Sequence, residues 1–236
     1  MTVPSDVLSW CEVSAGALRA NVAIFRRRLA PGALLGVVVK SNAYGHGAAE
    51  TAAVLADAGV DWLVVNGVHE AEELRSSGLT LPVYICGPVS PAQAARVVAA
   101  RARAVVYDSA LVKALAAQGT RAGWEVPVHL KVETGSHRQG LGAEEALELG
   151  TLVRGLEGVA LEGLTTHYAD IEDTTDHRFA QGQLASFDAV RERFREAGLT
   201  VPMAHSANSA ATILYPAAHG DLVRVGIAAY GLWTSA

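Results

Sequence analysis

From Leu34 onward the sequence carries about eight apolar stretches of strand length, and each but the last is followed by a stretch of helical period. Repetition of this kind builds parallel βαβ units, because neighbouring parallel strands need a long crossover that a helix usually fills. Eight such units are what a closed (β/α)8 barrel of the TIM type needs, so the expected fold class is α/β with that architecture. A doubly wound open sheet is the alternative. It would place a ligand at a strand-order switch point, often on a glycine-rich turn, and no convincing G-x-G-x-x-G follows a first strand here.

In chain order, 7–13 reads as a short strand, and Ser14 as the N-cap of a helix through Leu18, Val22, Phe25 and Leu29 that Pro31-Gly32 stops. The first barrel strand ends on Lys40; later strands are expected at 62–65, 82–85, 104–107, 126–132, 159–166, 201–205 and 222–227. Helices are expected at 47–58, 68–76, 91–100, from a Ser109 cap to about 118, at 143–153 and at 176–197, with a short helical turn at 207–215. There are no internal repeats, low-complexity tracts or obvious linkers.

Half of the 236 residues are hydrophobic and 18% are charged, enough to bury a barrel-sized core. A net charge of -5 without a basic cluster argues against nucleic acid as a partner. The densest positive run, Arg26-Arg27-Arg28, is expected at the solvated end of the first helix. Two cysteines, Cys11 and Cys86, make neither a disulfide framework nor a metal site, which fits a reducing cytosol. No secretory signal pattern opens the chain, and no apolar run approaches the length of a membrane span. The expectation is a cytoplasmic protein with no membrane partner and no bound metal.

The first barrel strand, Leu34 to Val39, ends on Lys40 and breaks into Ser41-Asn42-Ala43-Tyr44-Gly45-His46-Gly47. An amine at the end of a buried strand loses hydration, and a partly desolvated amine is the nucleophile that Schiff-base chemistry requires. Taken alone, the same residues also describe a strand that ends in water. Other polar residues fall at strand ends too: Glu133 to Arg138 after the fifth, His167 after the sixth, His205 to Ser209 after the seventh, Arg224 to Ile227 at the eighth. Barrel enzymes assemble their chemistry on that face, and a phosphate site near the last two strands is a recurring feature. Asn208-Ser209-Ala210 and Gly226-Ile227 suit such a site, although Ser206 or Asn208 could equally be an ordinary helix cap.

The string Val38-Val39-Lys40-Ser41-Asn42-Ala43-Tyr44-Gly45-His46-Gly47 resembles the cofactor-lysine signature of the alanine racemases, which use pyridoxal 5'-phosphate (PLP). Further matches follow in order. Glu133 to Gly140 is similar to D-T-G-M-x-R-x-G, with Glu for Asp and Ser for Met; Thr166-His167-Tyr168-Ala169 to T-H-F-A; Ala207-Asn208-Ser209-Ala210 to A-N-S-A; and Arg224 to Gly231 to R-x-G-I-x-x-Y-G. The resemblance implies a PLP-dependent racemase that interconverts L- and D-alanine through a Lys40–PLP aldimine. Tyr44, Ser209, Gly226 and Ile227 would bind the phosphate, with Asn208 beside them. Arg138 would contact the cofactor phenolate oxygen, His167 would pack beside the ring and hydrogen-bond to Arg224, and Arg224 would face the pyridine nitrogen. Lys131 matches a position that is carbamylated in some members, although a lysine snorkelling from a strand is as good a reading.

The resemblance also implies domain limits: 1–13 as a strand of the family's β-domain, 14–229 as the PLP-binding barrel, and 230–236 as the start of a C-terminal β-domain. That domain would bring the second catalytic base, a tyrosine on the opposite face of the substrate, across a homodimer. The chain is therefore expected to be a truncated one, a fragment or a short relative, that binds PLP and a small amino acid but racemises poorly alone. Two alternatives stay open: a non-catalytic single-domain PLP-binding protein of cofactor homeostasis, and a racemase of another amino acid such as serine.

Overall fold

The structure, a computed structural model, describes residues 8–172 and 174–233. Ser14 caps the first helix, its side chain accepting from the Ala17 N–H at 3.2 Å, and α1 (Ala15–Arg28) buries Leu18, Val22 and Phe25. The three arginines end α1 in solvent, and Arg26 reaches Asp61 at 2.8 Å. Eight strands follow: β1 (Leu34–Val38), β2 (Trp62–Val65), β3 (Val83–Ile85), β4 (Ala102–Val106), β5 (Val126–Lys131), β6 (Val159–Thr165), β7 (Met203–His205) and β8 (Leu222–Val225). The crossover helices are α2 (Ala48–Asp57), α3 (Val68–Ser76), α4 (Ala94–Ala99), α5 (Ser109–Ala122), α6 (Ala143–Arg154), α7 (Arg178–Glu196) and α8 (Ser209–Leu214).

Every named strand pairing is parallel, in the order β7-β6-β5-β4-β3-β2-β1-β8. The seam between β7 and β8 is bridged by other bonds. The Asp221 N–H donates to Ala204 O at 2.9 Å, the Ala204 N–H to Asp221 Oδ2 at 2.7 Å, and the Arg224 N–H to Ala207 O at 2.9 Å. The sheet thus curls into a nearly closed (β/α)8 barrel, as the alternation predicts. One apolar core lies between sheet and helices; a smaller one inside the barrel joins Val38, Trp62, Val64, Tyr84, Val105 and Leu222.

Two local expectations need correction. Residues 8–13 carry no regular element, and Leu8 is 98% exposed; an extended segment becomes a strand only against a partner edge, and no described strand pairs with it. The rest of that reading, residues 1–7, and residues 234–236 lie outside the described residues. The cap of α5 is Asp108, whose carboxylate accepts from the Leu111 N–H at 2.8 Å, rather than Ser109.

Candidate active site

Lys40 leaves the C-terminal end of β1 half-buried, and the chain beyond it does something its residue types disfavour. Ser41, Asn42, Ala43 and Tyr44 all take φ between 53° and 54°, a left-handed turn made without glycine. Asn tolerates this region, but Ser41, Ala43 and Tyr44 each cost about 1–2 kcal/mol, so the turn needs outside support. Glu70 provides part of it: one carboxylate oxygen accepts from the Ser41 N–H at 2.6 Å, the other from Asn66 and Gly67 N–H groups. Asn42 Oδ1 accepts from the Ala48 N–H at 2.7 Å, starting α2. The turn brings Tyr44 back to the cavity that Lys40 enters.

That cavity, about 240 Å³, opens at the C-terminal ends of the strands. Lys40, Tyr44, Arg138, His167, Asn208, Ser209, Arg224, Gly226 and Ile227, all singled out from the sequence, line it together. A larger hollow of about 620 Å³, walled by Asp188, Arg191, Glu192, Arg195 and Asp221, holds none of them.

Burial, and then the positive charges of Lys131, Arg224, Arg138 and Lys40, hold His167 well below the usual imidazole range, so it is neutral. Burial and the nearby guanidiniums of Arg224 and Arg138 lower Lys131 to about 7. Burial first, then Cys86 and Glu172, push the Tyr44 phenol up to about 12, which keeps it a hydrogen-bond donor. At Gly226 an added Cβ would lie 2.8 Å from Tyr44 Oη and 3.8 Å from Ser209 Oγ. The Gly226 N–H donates to Ser209 Oγ at 2.8 Å. Phenol, hydroxyl and amide thus surround one small space that any side chain at 226 would fill.

Arg224 is 7% exposed, and its bonds correct the sequence reading. Its guanidinium meets His205 Nδ1, Thr166 O at 2.8 Å and Ser206 O at 3.1 Å, and none of these bonds goes to the His167 ring. Both histidines end adjacent strands, and strand register decides between them: His205 sits beside β8, where the Arg224 N–H already pairs with Ala207 O. Asn208 takes the capping role weighed above, accepting from the Ala211 N–H at 3.0 Å while its amide donates to Glu172 at 2.6 Å. Glu133 closes its own loop by accepting from the Gly135 and Ser136 N–H groups.

Sequence reasoning missed Tyr84, Cys86, Gln139, Thr165 and Glu172 as cavity residues, and His129 as part of the buried interior. Only β5 carried a signal: His129 and Lys131 alternate with apolar residues, which puts both on the face opposite Val128 and Leu130. Among the described residues no cluster of metal-ligating side chains occurs, and no helix is long and apolar enough to cross a membrane.

Comparison with known proteins gives one answer. An alanine racemase of Symbiobacterium thermophilum is 40% identical over 224 residues, which cover 95% of this chain and 59% of that protein. One of Desulfovibrio desulfuricans is 37% identical over 223 residues, 94% of this chain and 60% of that one. An alanine racemase structure from Clostridium difficile superposes with a TM-score of 0.94 at 29% identity, covering 98% of this chain and 60% of that one. The chain therefore spans about 60% of the relatives it matches. Residues 13–233 match the family described as alanine racemase, N-terminal domain, and the chain belongs to that family.

Proposed function

We propose that the chain is the PLP-binding barrel of an amino-acid racemase acting on alanine, and that Lys40 is its cofactor lysine. The observation that carries this reading is the convergence of Lys40, Tyr44, Ser209, Arg224 and Gly226 on one cavity. Those residues fit PLP: an amine for its aldehyde, and the Tyr44 and Ser209 hydroxyls beside Gly226 and Ile227, at a place a side chain on 226 would fill, for its phosphate. When bound, PLP supplies the electron sink that makes a substrate α-proton acidic.

The chain's own residues set what happens around it. Lys40 is the amine that takes or returns a proton on one face of the substrate. Arg224 lines the cavity as a permanent cation; facing the ring nitrogen of bound PLP, it would disfavour protonation there and so would weaken the electron sink. His167 stays neutral and would add no charge beside the ring of bound PLP. Arg138 lines the mouth, where it would meet the cofactor phenolate oxygen. Lys131, near 7, holds enough neutral amine at physiological pH to be carbamylated. The base on the opposite face, a tyrosine by the family resemblance, is expected in the part of the relatives that this chain does not span, and a homodimer would deliver it. The setting we propose is the cytoplasm, consistent with two free cysteines.

The test is a visible absorption spectrum of the purified chain with PLP, followed by conversion of L- to D-alanine. A band of lysine-linked PLP that Lys40→Ala abolishes supports the reading; its absence from the wild-type chain removes it. Turnover by this polypeptide alone at the rate of a complete racemase would refute the expected need for an outside base.

A further inference from the structure

Beneath Arg224 buried polar groups of the barrel form a line, joined at His205 Nδ1 by Thr165 Oγ1 at 3.1 Å. His205 Nε2 lies 2.8 Å from His129 Nδ1, and His129 Nε2 lies 2.9 Å from Glu162 Oε2. The same Glu162 oxygen accepts from Arg103 Nε at 2.7 Å. Both rings are buried, whereas the Glu162 and Arg103 side chains are 22% and 21% exposed. Glu162 and Arg103 precede their strand ends by several residues, so the line leaves the cavity and runs toward the far end of the barrel.

Donor and acceptor rules fix its direction from both ends. A guanidinium only donates, so His205 Nδ1 must accept from Arg224. The Thr165 hydroxyl 3.1 Å from the same nitrogen then has no proton to accept there and directs its own to that nitrogen or to Thr166 O. An ionised carboxylate only accepts, so His129 Nε2 must carry its proton. Each ring is then neutral with its proton on Nε2, and the central contact is His205 Nε2–H to His129 Nδ1. Burial lowers both imidazoles, nearby cations add to the effect, and Glu162 only partly offsets it at His129. The fold makes room for the line. A Cβ on Gly163 would lie 2.3 Å from His129 Nδ1, and the β5–β6 register shifts at Val128/His129. Tyr84 and Trp62 pack against the His129 ring, with centroids 4.8 and 5.6 Å away.

We infer that His205, His129 and Glu162 form a one-directional hydrogen-bond relay, which makes Glu162 a positioning residue for Arg224 from the side of the barrel remote from the cavity. The inference deepens the proposed function, since it rests on Arg224 facing the cofactor. With His205 held as an acceptor, the guanidinium is fixed by three acceptors at once. The opposite tautomers would set N–H against N–H at Arg224.

The experiment is nitrogen NMR on chain labelled at histidine and arginine, with and without added PLP. In wild type, His129 and His205 are expected with bare Nδ1 and protonated Nε2 at neutral pH, and Arg224 with separate Nη signals. Glu162→Leu should merge the Arg224 signals and weaken PLP binding about fivefold, the cost of one buried hydrogen bond. Glu162→Gln keeps an oxygen that can take both bonds and should restore both readouts. A protonated Nδ1 on His205, or a cationic ring, in wild type overturns the relay. So does a folded Glu162→Leu chain with wild-type Arg224 signals and PLP affinity. Should that variant not fold, the wild-type tautomers and the Arg224 signals of Glu162→Gln decide. If the wild-type chain takes no PLP, the proposed function fails, while the NMR of the unloaded chain still decides the relay.

Discussion

Outside the sheet, the surface that meets the helices is almost wholly apolar, with Leu55, Leu74, Leu115, Phe187 and Phe194 all 2% exposed or less. Inside the barrel the buried set includes His129, Lys131, His205 and Arg224, four groups that a core normally excludes. The outer layer supplies the burial energy, roughly 1.5–3 kcal/mol for each large side chain. The inner layer uses part of that stability to keep cations and neutral imidazoles dry beside the cavity. The two layers should therefore respond to different perturbations: the outer in stability, the inner in ligand binding and pH dependence.

Phe187→Ala is the largest break on the outer side. It empties a fully buried site on α7 and should cost about 3–5 kcal/mol in urea unfolding. PLP affinity of the folded fraction should stay as it was; a large loss of affinity would show that the layers are not separable.

Lys131→Met is the matching break inside. With Lys131 lowered from 10.5 to about 7 in the fold, the unfolded chain binds the extra proton between those values, so wild-type stability rises with pH across that window. The slope has a ceiling of about 1.4 kcal/mol per pH unit, and the variant should lose that slope and gain stability at pH 7. Parallel stability curves for the two proteins would contradict the assignment.

Gly226→Ala sharpens the contrast within the inner layer. Its Cβ would enter the space beside Tyr44 Oη, and overpacking of about 1–2 kcal/mol there corresponds to roughly tenfold weaker PLP binding. Pyridoxal without its phosphate should be affected much less; equal losses for both ligands would move the phosphate elsewhere. The smallest effect is expected at the rim, where Ser14→Ala removes the α1 cap for about 1 kcal/mol and leaves PLP binding untouched.

The outer layer was the legible part of the sequence. Helical and strand periods record which side chains face the sheet–helix interface, and a strand such as Trp62–Val65 or a helix such as Val68–Ser76 coincides with its pattern. Motif wording placed the cavity residues at strand ends, and they do meet there. The left-handed turn at Ser41 to Tyr44 was not legible, because of its four residues only Asn42 is at ease in that backbone; part of its support comes from Glu70, 29 positions after Ser41. The partner of Arg224 was misread as His167 for a related reason. Two histidines end neighbouring strands, and only the register across β6, β7 and β8 selects His205. The relay to Glu162 needs that register and a glycine slot at 163, neither of which a periodic pattern reports.

The chain has three lysines: Lys113 is exposed, whereas Lys40 and Lys131 line the same cavity. Borohydride reduction of the PLP-loaded chain, followed by peptide mass analysis, would show directly which amine carries the cofactor. The pyridoxyl group is expected on Lys40 alone. Finding it on Lys131, or spread over all three lysines, would contradict the central claim that the β1 end and its left-handed turn are built to present the cofactor amine.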